Sequence, residues 1–367
     1  MPRSRAALAA LVLAVGLVGC GDPQAGDTAP ADTAAPTTPD STATSTSAPA
    51  AGGLSIVQLG DSIASGEGTL YGYEYDTHTR EWTGGNLSVT WPGPYPLCHD
   101  SPDAYGNIVA AYFDAEFTQF ACTGATFSAG ISAPETDDGT VLRPAQFGNW
   151  ATQSDLNAEY DAAEPDVVLV TLGADDLQFV SIVEACIENG YEYAFDLADL
   201  ACTSTNPGTT IQTDYFDFLP TLRANYATLV DWIAARAKAN GVAAPKVVIT
   251  NYANPLPADG AKCPDTSWLY PEQTEYLASL VDDLNGTIRA TVEGLGPDVG
   301  LADISTAYEP QGVSHIWCTD APWAYGLSIY KVTDPDSFES QAPFHPTPQG
   351  QDSIAAHVIP AVRQLLG

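Results

Sequence analysis

Past residue 53 the chain alternates between short β-branched runs and longer stretches whose apolar positions recur at helical spacing. Leu54 to Leu59 is an apolar run ending on a Gly-Asp-Ser turn. Asp103 to Ala115 has the spacing of a helix, and Glu116 to Cys122 that of a short strand. Ser154 to Glu164 reads as a helix. Pro165 then opens Asp166-Val167-Val168-Leu169-Val170-Thr171-Leu172, the clearest buried-strand run in the chain. Helices follow at Leu177 to Glu188, Tyr215 to Ala239 and Pro271 to Glu293. Strands are expected at Lys246 to Thr250 and Gly300 to Ile304, and a closing helix at Gln349 to Leu366. Strands alternating with helices predict an α/β protein, a three-layer α/β/α sandwich around a mostly parallel sheet. Gly66 to Asp100, Tyr191 to Thr213 and Gln311 to Ser340 fit neither period. They are expected as loops over one end of the sheet, where ligand sites form in such folds.

The first residues follow other rules. Arg3 and Arg5 precede an uncharged apolar stretch from Ala6 to Val18, too short to span a membrane stably. Leu17-Val18-Gly19-Cys20 resembles a bacterial lipobox, which implies a signal peptide over 1–19 and lipidation of Cys20. Gly21 to Gly53 is nearly all Ala, Thr, Ser, Pro, Asp and Gly. Such a stretch cannot bury enough apolar surface to order itself, so 20–53 is expected as a flexible tether and 54–367 as one domain. The chain is therefore expected to be exported and held at the cell surface through its lipid alone.

Composition narrows the partners. The net charge of −34 excludes nucleic acid and argues against direct docking on an anionic bilayer. Besides Cys20, six of the seven cysteines remain, an even number in a chain expected outside the cytoplasm, which reads as disulfides. About fifteen pairings are possible. Pairing sequence neighbours, Cys98–Cys122, Cys186–Cys202 and Cys263–Cys318, closes a modest loop each time. No CxxC pair suggests zinc, and Asp137-Asp138-Gly139 lacks the alternating ligands of a calcium loop, so no metal or cofactor is assigned.

Four segments carry the chemistry. Gly60-Asp61-Ser62 ends the first strand, where a serine beside a glycine can present its hydroxyl to a substrate. The Gly-x-Ser-x-Gly elbow of α/β-hydrolases is absent. Ala121-Cys122-Thr123-Gly124-Ala125-Thr126 follows the second strand, and Gly173-Ala174-Asp175-Asp176 follows the strongest one. Phe344-His345-Pro346-Thr347 precedes the last helix, so His345 lies on a turn. His357 falls inside that helix, and His78, His99 and His315 lie in loops without a distinctive setting. In order and spacing the four segments resemble the sequence blocks of the SGNH hydrolases, the GDSL esterases and lipases, and most closely the secreted actinobacterial members, which also pair six cysteines between neighbours.

The resemblance implies a flavodoxin-like sheet and a serine esterase acting through an acyl-enzyme. Ser62 matches the nucleophile and its amide the first oxyanion donor; Gly124 matches the second donor, and His345 the general base. Two positions depart from the family pattern. Asp175 stands where the family has an asparagine donor, and an ionised carboxylate has no proton to donate. It either carries a proton, turns away and leaves two backbone donors, or yields its role to a neighbour such as Asn254. Ala342 stands three residues before His345, where many members have the triad aspartate, and Asp336 and Glu339 reach only if the loop folds back. A Ser-His dyad oriented by the carbonyl of Ala342 or Pro343 is expected instead. Trp82, Trp91, Trp150, Trp317 and Trp323 are candidates for a stacking platform, with packing as the plainer explanation. The expected substrate is an acyl lipid, an acetylated glycan or a small ester, handled by a monomer. An acyltransferase using the same site, and a non-catalytic glycan-binding protein on a hydrolase scaffold, are the competing readings.

Overall fold

Each central strand buries both of its faces, which explains the continuous apolar runs. In β1 (Ser55–Gly60), Val57 and Leu59 join one core with Val168 and Val170 of β7 (Val167–Thr171) and Val247 and Ile249 of β8 (Lys246–Thr250). Ile56, Val167, Leu169 and Val248 point the other way, into a second core. Alternate side chains of a strand face opposite sides, so both sides need a helical cover. Helices α2 (Tyr105–Phe113) and α7 (Pro348–Leu366) cover one side. The other is covered by α3 (Asn157–Ala163), α4 (Phe179–Tyr193), α5 (Leu222–Asn240) and α6 (Pro271–Val292).

The computed structural model describes residues 53–137, 140–148, 156–193, 218–329 and 341–367. All lie in one unit, Ala50–Gly367. Cys20, the tether, Trp150, Cys202, Asp336 and Glu339 fall outside the described residues. The sheet has five strands in the order β4-β1-β7-β8-β9, with β4 at Glu116–Gln119 and β9 at Val299–Ala302, and every pairing is parallel. Counted within the sheet this order is 2-1-3-4-5, whose direction of winding reverses between β1 and β7. The crevice at that switch point is where such sheets place ligands.

Two expectations need correction. Gly66 to Asp100 is not wholly loop: β2 (Tyr73–Asp76) and β3 (Glu81–Gly84) form an antiparallel hairpin. Tyr75 pairs directly with Trp82, their rings 5.0 Å apart, and this cross-strand aromatic contact stabilises a ribbon lying off the main sheet. A second hairpin, β5 (Glu135–Asp137) with β6 (Thr140–Arg143), was likewise unforeseen. The strand expected to reach Cys122 ends at Gln119. Beyond it the amides of Phe120 and Cys122 still donate to the carbonyls of Gln58 and Gly60, at 2.9 Å each, and lead the chain along β1 to Gly124.

Candidate active site

The turn after β1 is built around a glycine. Gly60 has φ +150°, and a Cβ there would stand 2.4 Å from the Thr171 carbonyl oxygen and 2.8 Å from the Ala64 methyl. No other residue fits. Gln146 grips this glycine from both sides: the Gly60 amide donates to its Oε1 at 2.8 Å, and its Nε2 donates to the Gly60 carbonyl at 2.7 Å. Asp61 then caps the short helix α1 (Ser62–Ser65), with Oδ1 accepting from the Ile63 amide at 3.0 Å. Ser62 is thereby held at the first helical position, partly exposed, at the switch point of the sheet.

His345 is delivered from the far end of the chain by a segment held through its backbone. Phe344 donates to the Tyr325 carbonyl at 2.8 Å, Tyr325 to the His345 carbonyl at 3.0 Å, and Thr347 to the Trp323 carbonyl at 2.9 Å. Phe344 has φ +70°, unfavourable for a bulky residue, and is held there with its ring 4.6 Å from that of Trp317 and 5.9 Å from that of Phe179. The result is that His345 Nε2 lies 2.7 Å from Ser62 Oγ, and Nδ1 lies 3.1 Å from the Pro343 carbonyl. A carbonyl can only accept, so Nδ1 carries the proton and Nε2 is left free to take one from the serine. Burial lowers the histidine pKa, opposed by the charge of Glu67 and by the carbonyls of Gln341, Pro343 and Ala342. The ring is therefore neutral near pH 7, as a base must be.

The Ser62 and Gly124 amides, expected as oxyanion donors, lie at the ends of β1 and of the segment that follows β4. Neither amide finds an acceptor among the described residues, and both residues are partly exposed. Free amides beside the nucleophile can bind a developing negative charge. A disulfide, Cys98–Cys122, braces the strand end just before this loop, and Cys263–Cys318 ties the loops farther along. The proposed partner of Cys186, Cys202, lies outside the described residues.

On the β7 side three carboxylates gather. Burial, then the charge of Asp175, push Asp61 well above the usual carboxylate range, although Oδ2 accepts from the Tyr252 hydroxyl at 2.5 Å. Asp175 is pushed up to about 6 by burial, with Arg143 pulling the other way. Burial takes Asp176 to about 7, and it accepts from the Phe127 amide at 3.0 Å. In its ionised form Asp175 has no proton to donate. Nor does Asn254 replace it: its Nδ2 donates to the Ala278 carbonyl at 3.1 Å, turned onto α6, and its Oδ1 accepts from Leu256 at 3.1 Å. Asn254, with both its amide groups engaged in this way, does not take over the donor role.

Several neighbours were not foreseen. Arg143, ion-paired to Glu135, lies over Gly124, with Nη2 3.1 Å from where a Cβ would stand. Glu67 is wholly buried, and its Oε2 accepts from His99 Nδ1 and from Thr123 Oγ1, the latter at 2.9 Å. His99 had no distinctive setting in sequence, yet a signal existed: pairing Cys98 with Cys122 brings His99 to Thr123. Of the tryptophans, Trp82, Trp91 and Trp317 are buried, and Trp323 stacks on His315 at 3.9 Å, so those four serve packing.

A parallel sheet with a serine–histidine pair at its switch point defines an α/β serine hydrolase. The family is narrower. The chain belongs to the GDSL-like lipase/acylhydrolase family, whose model matches residues 59–352, and is a serine esterase or lipase. Among solved structures it is similar to an extracellular lipase from Streptomyces rimosus, at 20% identity and TM-score 0.50, covering 85% of this chain and 99% of that one. A phospholipase A1 from Streptomyces albidoflavus NA297 is similar at 20% identity and TM-score 0.52, covering 86% and 99%. At this identity the likeness speaks for the fold. No curated protein matches the chain.

Proposed function

We propose that the protein hydrolyses carboxylic esters through a Ser62–His345 dyad without a triad carboxylate. The observation that carries this is the 2.7 Å contact between Ser62 Oγ and His345 Nε2, with Nδ1 turned to the Pro343 carbonyl. Ser62 Oγ attacks the ester carbonyl while Nε2 takes its proton, and the amides of Ser62 and Gly124 receive the oxyanion. The imidazolium then protonates the leaving alcohol. Water, deprotonated by the same nitrogen, releases the acid and regenerates the serine. A carbonyl fixes the tautomer but stabilises the imidazolium less than a buried carboxylate would.

The substrate class is an acyl lipid, an acetylated glycan or a small ester. The export signal and Cys20 support a lipid-anchored enzyme outside the membrane. A fluorophosphonate probe tests the dyad: the wild type is labelled, and Ser62→Ala is not. A wild type that stays unlabelled would remove the enzyme reading. A series of p-nitrophenyl esters of rising chain length then narrows the acyl group.

A further inference from the structure

A dyad without its acid leaves the imidazolium short of a counter-charge, and a buried carboxylate lies one turn of chain beyond the nucleophile. Glu67 has no exposed surface. Its amide donates to the Ser62 carbonyl at 3.0 Å, so its backbone closes the turn that presents the nucleophile. Its Oε2 accepts from Thr123 Oγ1 at 2.9 Å, and Thr123 immediately precedes the Gly124 amide. Ser65 Oγ, 3.2 Å from both the Ser62 carbonyl and Thr123 Oγ1, ties the same two segments a second time. His99 Nδ1 takes the remaining direction on Oε2, and its ring stacks on Trp91 with centroids 4.6 Å apart. The disulfide Cys98–Cys122 joins the neighbours of His99 and Thr123 in sequence. Glu67 Oε1 is buried with no hydrogen-bond partner among the described residues. The next residue, Gly68, lies against the same turn: an added Cβ would press on Tyr325 Cε2 at 3.1 Å and stand in ordinary contact, 3.5 Å, from His345 Cβ.

We propose that Glu67 is a positioning residue for the esterase reaction: it locks the nucleophile turn to the oxyanion loop and presents a buried negative charge to His345. The proposal rests on the ester-hydrolase reading above. Its physical content is that one group does two things a triad aspartate does only in part. Through Thr123 it sets the spacing of the Ser62 and Gly124 amides, the geometry on which oxyanion stabilisation depends. Through space it favours the imidazolium formed when Ser62 loses its proton. The charge is maintained in spite of burial. Burial pushes the Glu67 carboxyl up, but the His99 hydrogen bond, the charges of His345 and His99 and the Thr123 hydroxyl together bring it below its ordinary value. Facing Glu67, the titratable groups are His99, from the turn after Pro96, and His345, from the turn before α7. Facing His345, the charged group is Glu67. The three raised carboxylates lie on the β7 side around Asp61.

The test is steady-state hydrolysis of p-nitrophenyl acetate across pH, normalised to the fraction of protein labelled by a fluorophosphonate. Glu67→Gln keeps the shape and removes the charge. It is expected to lower kcat by roughly 10- to 100-fold with KM within about twofold, and to move the acid limb of kcat/KM down by roughly half a pH unit or more. Thr123→Val removes only the tie, and is expected to lower kcat about three- to tenfold with the acid limb in place. A Glu67→Gln enzyme that loses thermal stability but keeps its pH profile overturns the proposal, because a purely structural role predicts that result. If Glu67→Gln does not fold, a Thr123→Val enzyme with kcat within about twofold of wild type overturns it alone. An unlabelled wild type instead defeats the ester-hydrolase reading on which the proposal stands.

Discussion

The two flanks of Ser62 hold buried carboxylates under opposite regimes. On the β4 side Glu67 is surrounded by donors, the imidazole of His99 and the hydroxyl of Thr123, and its pKa falls although it has no exposed surface. On the β7 side Asp61, Asp175 and Asp176 face one another, and all three rise. Burial is common to both flanks, so depth does not decide the charge. What decides it is whether donors and cations are supplied at the same time. One flank therefore stays charged and can support a cation; the other holds its protons more tightly than free carboxylates do and works as a hydrogen-bonded brace, with Tyr252 between Asp61 and the Ala174 amide.

Three changes would break or sharpen that contrast. The largest effect is expected from Cys98→Ala with Cys122→Ala, which unties the donors of Glu67. Closing a loop with sequence separation 24 stabilises by about 3 kcal/mol. Chemical denaturation should show a loss of that order, with kcat falling as well; an unchanged kcat would mean that His99 and Thr123 keep their places unaided.

Next, Tyr252→Phe removes the hydroxyl that donates to Asp61 and accepts from Ala174. A cost of about 1–3 kcal/mol in the same measurement is expected. The smallest effect belongs to Asp175→Asn. Turnover should stay equal or rise several-fold, since an amide can donate where the carboxylate cannot; a collapse of kcat would give that carboxylate an active part. The variant should also flatten a pH trend. A folded-state pKa of about 6 against 3.8 means the folded state binds the proton more tightly. Its contribution is fully present below pH 3.8 and is lost as pH rises through 6. The wild-type melting temperature should therefore fall over that interval, and that of Asp175→Asn should fall less.

The sheet was legible because its strands are doubly buried. The run expected over Asp166 to Leu172 appears as Val167–Thr171, and that over Lys246 to Thr250 at those same bounds. The β2–β3 hairpin was not legible, because Tyr73, Tyr75 and Trp82 bury themselves against loop residues such as Tyr325 rather than a core with a regular period. At the site, Ser62, Gly124 and His345 stood out because each follows or precedes a recognisable element. Glu67 did not. Its role depends on His99 and Thr123, which are 32 and 56 residues away and come together only through a disulfide and the parallel pairing of β1 with β4. Asp175 was legible as an anomaly, though its surroundings, with Arg143 over Gly124, were not.

The partner of His345 Nδ1 is a main-chain oxygen of its own turn. Such an acceptor cannot be deleted by a codon change, does not titrate, and keeps its place so long as the turn survives. The histidine of this enzyme is thus oriented by something invisible to any comparison of side chains. A search for hydrolases by three matching side chains would therefore pass over a site oriented in this way.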